Sequence, residues 1–301
     1  MSTNPRICLI GFGEVGQTLA SDLRDRGHRD LVAWDVLFAD VRSNPSRAAA
    51  GVVKAGIDAR DAVAHADIVI SAVTAAQCVD AARTASAFLD AGAFYVDLNS
   101  VAPGTKAEAA RSIAAAGGRY VEAAVMAPIG PKRIATSMLL GGPHAAAFLD
   151  NAQSMGFTGA RVYSDVIGKA SAAKMCRSVM IKGIEALLTE SMLSARHYGV
   201  EHTVLESLHD LLPGADWPKL SRYMISRSLQ HGRRRAEEMR EVALTVSDAG
   251  IEPHMSTAAA RRHDWAAAYS GAAHLEPLES LLDAILASIR FHRRGRGEQE
   301  C

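Results

Sequence analysis

Gly11-Phe12-Gly13-Glu14-Val15-Gly16 spaces three glycines as GxGxxG, between an apolar run ending at Ile10 and an amphipathic stretch opening at Glu14. The spelling alone is weak, but its context is specific. Asp35 closes the next apolar run, 24 residues after Gly11. In that setting the chemistry is recognition of a dinucleotide. Gly11 permits a tight turn, Gly13 lets the backbone approach a pyrophosphate, and Gly16 lets the helix pack close to the strand. The helix N-terminus then turns free N–H groups and the positive end of its dipole toward the phosphates. Phe12, Glu14 and Val15 complete the loop. Asp35 would accept hydrogen bonds from the adenosine ribose hydroxyls, which favours NAD over NADP. Arg42, a few residues on, offers the opposite choice by holding a 2′-phosphate, and Asp at a strand end is also ordinary turn chemistry.

The elements that must position this loop follow from periodicity. Apolar runs at residues 6–10, 31–35, 67–73, 94–98 and 119–123 predict buried strands, with shorter ones at 136–140 and 161–164. Helical patterns at about 14–26, 75–91 and 105–116 separate them. Continuous apolar strands alternating with helices predict an α/β fold, a doubly wound, mostly parallel sheet covered on both faces. Such a sheet places its ligands at the carboxyl ends of the strands, so Val73, Thr74 and Asn99 are assigned to the cofactor side. After about residue 165 the pattern is helical throughout. The stretch 170–198 reads as one helix of some 29 residues, interrupted only by Gly183. Others follow at 204–212, 217–229, 235–249, 256–269 and 276–291. The expectation is a Rossmann domain over residues 1–165, then an all-α domain over 166–301 entered through the long helix.

The stretch Gly168-Lys169-Ala170-Ser171-Ala172-Ala173-Lys174-Met175-Cys176-Arg177-Ser178 resembles the signature helix of the β-hydroxyacid dehydrogenases. That group includes the 3-hydroxyisobutyrate, tartronate-semialdehyde and 6-phosphogluconate dehydrogenases. The resemblance covers nearly the whole chain in order, from the glycine loop to the helix that opens the all-α half. The family helix reads GxGxxxKxxxN and its Lys is the general acid/base. Gly168 and Lys174 fit, while Ala170 stands for the second Gly and Ser178 for the Asn. The resemblance therefore implies hydride transfer between a nicotinamide and a 3-hydroxy acid or related β-hydroxy carbonyl compound, with Lys174 exchanging the hydroxyl proton. Lys174 and Ser178, four residues apart, share one helix face. A free Lys, with a pKa of about 10.4, is mostly in the wrong state for a base, so burial or a neighbouring cation must lower it. Lys182, two turns on, is one such cation. The stretch Asp97-Leu98-Asn99-Ser100-Val101-Ala102-Pro103 resembles the family loop whose Ser or Thr lies beside nicotinamide and substrate, which gives that place to Ser100. A helix start capped by Ser100 or Thr105, with Pro103 near the first turn, fits the same residues.

Two departures concern the substrate. Where the family has a DAPVSGG-like loop, this chain has Glu122-Ala123-Ala124-Val125-Met126-Ala127-Pro128-Ile129-Gly130. Met126, Ala127 and Pro128 replace the Ser-Gly-Gly that holds a carboxylate. Pro128 removes a donor N–H and Met126 offers an apolar wall, so the substrate is bulkier or its acid is held elsewhere. Near the C-terminus the family's Lys-Asp-Leu falls on Glu237-Glu238-Met239, and the Lys is lost. His231, or one of Arg233, Arg234 and Arg235, would then supply the positive charge for an anionic substrate group. These features resemble a branch with a divergent C-terminal helical domain. Three other readings stay open: a decarboxylating sugar-acid dehydrogenase, for which the chain is short; an imine reductase, a branch that commonly replaces the Lys retained here; and a catalytically silent NAD(P)-binding sensor or interaction protein.

Composition narrows the partners. Lys plus Arg equals Asp plus Glu, 33 each, so no global charge steers the chain to nucleic acid or an anionic membrane. The basic runs at 233–235 and 290–296 read as solvated helix faces or chain ends. Cys8, Cys78, Cys176 and Cys301 show no CxxC pairing, so neither a disulfide framework nor a zinc or other metal site is expected. The chain opens without a charged leader, and no apolar run approaches the roughly 18 residues of a membrane span. The expectation is a cytoplasmic protein acting on a small anionic molecule. The resemblance adds a homodimer paired through the all-α half.

Overall fold

Strands β1 (Ile7–Ile10), β2 (Leu31–Trp34), β3 (Lys54–Ala55), β4 (Ile68–Ser71), β5 (Phe94–Asp97), β6 (Arg119–Val125), β7 (Met138–Gly141) and β8 (Ala160–Ser164) form one sheet in the order β3-β2-β1-β4-β5-β6-β7-β8. They belong to a computed structural model that describes residues 5–208 and 214–295. The predicted basic run to residue 296 and the predicted helix 204–212 therefore reach beyond the described residues, as does Cys301. Neighbouring strands are parallel except at β6 and β7, which are antiparallel. Alternation within β1 supplies both faces. Ile7 and Leu9 join Leu19, Leu23, Phe94 and Phe148 on one side. Cys8 and Ile10 join Val69, Tyr95, Ile113 and Tyr120 on the other. The order reverses between β1 and β4, so the ligand crevice of such a sheet lies at the carboxyl ends of these strands.

The covering helices are α1 (Glu14–Asp25), α2 (Asn44–Ala49), α3 (Ala59–Val63), α4 (Cys78–Ser86), α5 (Pro103–Ala115), α6 (Ile129–Lys132) and α7 (Ala145–Met155). Some differ from the periodicity reading. The helix expected over 75–91 is a 3-10 turn at Ala75–Gln77 followed by α4. The strand expected from 136 starts at Met138, because Thr136 closes the preceding turn by donating its hydroxyl to the Arg133 carbonyl at 2.7 Å. β3 was not foreseen, since two exposed residues carry no apolar period. After β6 the chain bends through Arg133 at φ +50°, a conformation rare outside glycine. Asp22 of α1 holds it there, accepting from the Arg133 Nε at 2.6 Å and the Ile134 N–H at 2.9 Å.

α8 (Lys169–Tyr198) is a single helix. The chain divides within it into two compact units, Met1–Cys176 and Arg177–Cys301. The second unit adds α9 (Glu201–Ser207), α10 (Trp217–Gln230), α11 (Gly232–Asp248), α12 (His254–Ala267) and α13 (Leu278–Gly295). Its core gathers Met192, Ile225, Leu229, Leu281, Leu282 and Ile285. α11 and α12 approach so closely that a Cβ on Gly232 would stand 2.5 Å from the His263 carbonyl oxygen.

His263 gives this unit a pH dependence. Its Nε2 lies 3.1 Å from the Lys182 carbonyl, which only accepts, so Nε2 carries the proton. Nδ1 then accepts from the Ser228 hydroxyl at 2.9 Å. Burial, with the Arg235 charge second, pushes the imidazole down to about 4 from 6.5. The folded value lies below the unfolded one, so the contribution is full above pH 6.5 and is lost as pH falls through about 4. A His263→Gln variant lacks this loss. The stability advantage of the wild type over that variant is expected to shrink by about 3 kcal/mol between pH 7 and pH 4 in urea titrations. A constant difference would contradict the assignment.

Candidate active site

The glycine loop joins β1 to α1. Gly11 sits at φ +89°, and a Cβ there would meet the Ala72 carbonyl oxygen at 2.5 Å, so the position needs glycine both for its backbone and for the close approach of the β4 end. A Cβ on Gly16 would lie 2.2 Å from the Gly11 carbonyl oxygen; the close contact it permits is to the loop itself. Gly13 differs from both: among the described residues, and its immediate chain neighbours apart, no atom lies within 4 Å of where its Cβ would stand. Gly13 is also the N-cap of α1 and provides no side-chain cap for the first-turn amides. Open space in front of uncapped amides at a helix N-terminus is what a pyrophosphate requires, so these residues fit a dinucleotide. Within the loop Glu14 is exposed and Val15 half-buried, whereas the Phe12 side chain is fully buried and stacks edge-on with Phe38 at 5.9 Å. Phe12 thus lines the core with its ring, and only its backbone faces the loop.

Asp35 holds the loop as well as marking the strand end. One carboxylate oxygen accepts from the Phe12 N–H at 2.7 Å and the other from the Leu37 N–H at 2.9 Å. Each oxygen keeps a further lone pair. Arg42 has a side chain 92% exposed, 3.8 Å from Asp40.

At the ends of β4 and β5 two loops are fastened together. The Val73 N–H donates to Asn99 Oδ1 at 2.7 Å, and Asn99 Nδ2 donates to the Ser71 hydroxyl at 3.0 Å. Asn99 is buried, so its amide acts as a clamp between loops, while Thr74 is exposed. Next to the clamp stands Ser100, whose hydroxyl receives the Lys174 ammonium at 2.6 Å. The structure therefore brings together Ser100 and Lys174, which lie 74 residues apart.

What holds Lys174 there is Glu122, a residue that sequence reasoning placed in the substrate loop and gave no role of its own. Its carboxylate is fully buried on β6. It accepts from the Gly168 N–H at 2.7 Å and from the Ser171 N–H, capping the start of α8. A Cβ on Gly141 would lie 2.8 Å from Glu122 Oε2, so the glycine makes room for the cap. A carboxylate suits two orphan donors at a positive helix end, whereas an amide offers one acceptor. Glu122→Gln is expected to lower stability by about 2 kcal/mol in urea denaturation, through one unsatisfied buried N–H and a lost charge. A change below about 0.5 kcal/mol, the range of ordinary surface substitutions, would dismiss this cap.

Met126 packs beside Ala124, Leu139, Ala170 and Ala173, and its N–H donates to the Ser137 carbonyl at 2.9 Å; Ala127 and Pro128 are exposed. In the second unit Ser178 is buried, 3.5 Å from the Lys182 Nζ. Lys182 is paired with Glu238 at 2.6 Å, so it is not an isolated cation. His231 is not a cation. Arg227 Nη1 lies 3.0 Å from His231 Nε2, and since a guanidinium only donates, that nitrogen must be unprotonated. Burial first, then Arg227, pushes the ring down to about 4. Arg235 is buried against Glu185 at 2.7 Å, Arg233 is exposed, and Arg234 is half-exposed, 3.8 Å from Glu238. Arg227 left a signal in the sequence: it stands four residues before His231, the spacing that brings two side chains onto one helix face, but the predicted helix ends at 229, before His231.

An open glycine cradle at the switch point of a doubly wound sheet, followed by a helical unit, defines a dinucleotide-binding protein of the Rossmann class. Residues 6–168 match the NAD binding domain of 6-phosphogluconate dehydrogenase, and the chain belongs to that family. Residues 195–266 match a domain of unknown function, DUF1932. The chain is similar to a conserved hypothetical protein from Sinorhizobium meliloti 1021, with 35% identity, a TM-score of 0.70, and 94% of this chain and 97% of that one covered. It is also 35% identical to the conserved protein MTH1747, described as structurally similar to 3-hydroxyacid dehydrogenases, with a TM-score of 0.66 and 87% and 96% coverage. Human mitochondrial 3-hydroxyisobutyrate dehydrogenase is 24% identical over 213 residues, 69% of this chain and 62% of that protein. The match thus spans less than two thirds of the human protein. No described helix is long and apolar enough to cross a membrane.

Proposed function

We propose that this protein is an NAD(P)-dependent oxidoreductase that moves hydride between a nicotinamide and a 3-hydroxy acid or related β-hydroxy carbonyl compound. The observation that carries this reading is the 2.6 Å contact between the Lys174 Nζ and the Ser100 hydroxyl, beside the β5 end of a dinucleotide-binding sheet. A bound nicotinamide supplies the hydride acceptor or donor. Lys174 supplies the proton chemistry: in oxidation its neutral amine takes the substrate hydroxyl proton as the C–H bond breaks, and in reduction its ammonium returns it. Ser100 orients that amine and offers a hydroxyl to the same substrate oxygen. Ser178, one turn after Lys174 on α8, takes the place of the family Asn and is assigned to substrate binding.

Exposed Ala127 and Pro128, with the apolar Met126, favour a substrate broader than a compact carboxylate. For its anionic group Arg234 is the candidate cation, and the neutral His231 contributes a donor through Nδ1. Asp35 favours NAD, because a fixed carboxylate repels a 2′-phosphate; Arg42 would support NADP. The family resemblance favours pairing of the helical unit with a second copy. The decisive experiment titrates NADH and NADPH into the purified protein by fluorescence, then assays turnover of a panel of 3-hydroxy acids and their aldehydes. Tight dinucleotide binding with no turnover across the panel would leave a cofactor-binding sensor as the better reading.

A further inference from the structure

Lys106 is a fully buried lysine that the proposed reaction does not use. It lies on the inward face of α5, in line with Ala109, Ala110 and Ile113. Its Nζ donates to Asp97 Oδ1 at 2.8 Å and to the Asp97 carbonyl at 3.0 Å. Asp97, the last residue of β5, is equally buried. Its carboxylate also receives the Asn99 N–H at 2.9 Å on Oδ1, and on Oδ2 the Tyr120 hydroxyl at 2.7 Å and the Cys78 thiol at 3.4 Å. Burial, followed by the Asp97 charge, pushes the Tyr120 hydroxyl well above its ordinary range and Cys78 up to about 12, so both stay protonated donors.

A buried ion pair is a poor device for stability, because well-packed apolar residues of the same volume commonly serve as well or better. What this pair does uniquely is fix direction. It holds both ends of Asp97, carboxylate and carbonyl, at the point where β5 turns into its loop. The Asn99 backbone follows through Asp97 Oδ1. The Asn99 side chain then has a single orientation, with Nδ2 on Ser71 and Oδ1 receiving the Val73 N–H. The next residue is Ser100, in contact with Lys174.

We propose that Lys106 and Asp97 are positioning residues, which set the Val73 loop and the Ser100 loop relative to each other through Asn99, and so fix the dinucleotide-binding edge and the Ser100–Lys174 contact. The catalytic half of this inference rests on the reading of Lys174 and Ser100 given above; the cofactor half does not.

The test compares Lys106→Met, Asp97→Asn and the double variant Lys106→Met/Asp97→Asn. Each single change leaves one buried charge uncompensated and lowers Tm, as any structural role predicts. The double variant removes both charges and is expected to regain most of that Tm. If the pair positions the loops, the double variant still binds NADH or NADPH, whichever the wild type prefers, about tenfold more weakly, the equivalent of one or two lost orienting hydrogen bonds. Its kcat–pH profile is displaced as well. Wild-type affinity and an unshifted profile in a refolded double variant would reduce the pair to a fold element and overturn the proposal. If the double variant does not fold, Tyr120→Phe decides. It removes one bond to Asp97 Oδ2 and is expected to weaken dinucleotide binding about threefold; unchanged affinity overturns the proposal. If the wild type binds dinucleotide but turns nothing over, the Lys174 reading fails while the affinity comparison still decides the positioning role. A wild type that binds neither dinucleotide overturns both.

Discussion

Replacing Lys174 with alanine is expected to lower kcat by on the order of 10²- to 10⁴-fold, the usual contribution of a positioned general acid or base. Dinucleotide affinity should stay close to the wild-type value, because the pyrophosphate cradle at Gly13 is formed by backbone of the β1–α1 loop, while Lys174 contacts Ser100 after β5. The variant should fold, since Lys174 is half-buried and the start of α8 is held by Glu122 through Gly168 and Ser171. Two controls separate the acid/base role from simple packing. Lys174→Arg keeps a cation but not a group that can lose its proton near neutral pH, so it should be as inactive as alanine. Added methylamine should restore part of the turnover of Lys174→Ala, with a dependence on pH that follows the free amine. Ser100→Ala should reduce kcat less than Lys174→Ala, because it removes the partner that orients the amine and leaves the amine itself. Turnover by Lys174→Ala within a few fold of wild type would remove Lys174 from the chemistry, and Ser100 with it.

The parts of this arrangement that the sequence made legible are local ones. A strand, a glycine loop and a helix are consecutive in the chain, so β1, the loop, α1 and Asp35 could be recognised together. The Lys174 position was legible through family resemblance, and its distance to Ser100 was not, because residues 74 apart meet only through the fold. Asp35 shows the limit of reading a residue by its place. A carboxylate at the end of β2 looks like a ribose ligand, but its two oxygens already hold Phe12 and Leu37, so it also shapes the loop beside it. Phe12 was assigned to the cofactor by its place in the motif, while its ring belongs to the core. Lys106 did leave a signal: it shares the i, i+3, i+4, i+7 face of Ala109, Ala110 and Ile113, and a lysine on an apolar face demands a buried acid. Glu122 left half of one: a carboxylate inside a strand predicted to be buried demands a partner, but its partners are backbone N–H groups, which no sequence pattern marks. The type of His231 suggests a cation, whereas its burial and the approach of Arg227 make it neutral.

The open position in the glycine loop leads to a second large effect, which separates folding from cofactor binding. Gly13→Val is expected to fold with a Tm close to that of the wild type, because, its immediate chain neighbours apart, no atom of the described residues lies within 4 Å of the position its Cβ would take. Its backbone is extended, at φ −77° and ψ −158°, and lies outside the left-handed region that favours glycine. The added side chain instead fills the space in front of the first-turn amides of α1, where the pyrophosphate would sit. Overpacking of that kind opposes binding by about 1–3 kcal/mol, so dinucleotide affinity should fall by roughly 10- to 100-fold. Gly16→Ala is the contrasting case. Its Cβ would meet the Gly11 carbonyl oxygen at 2.2 Å and the Phe12 ring at 3.6 Å, so it should lose stability as well as affinity. Fluorescence titration with NADH and NADPH, run beside thermal melts, reads both quantities on the same samples. Normal dinucleotide affinity in Gly13→Val would mean that the open cradle is not the pyrophosphate site. Loss of affinity in Gly13→Val accompanied by an equal loss of Tm in both variants would mean that the loop contributes to the fold alone. Loss of affinity at position 13 with the melt unchanged, against loss of both at position 16, is the pattern that follows from one glycine facing a ligand and the other facing the chain.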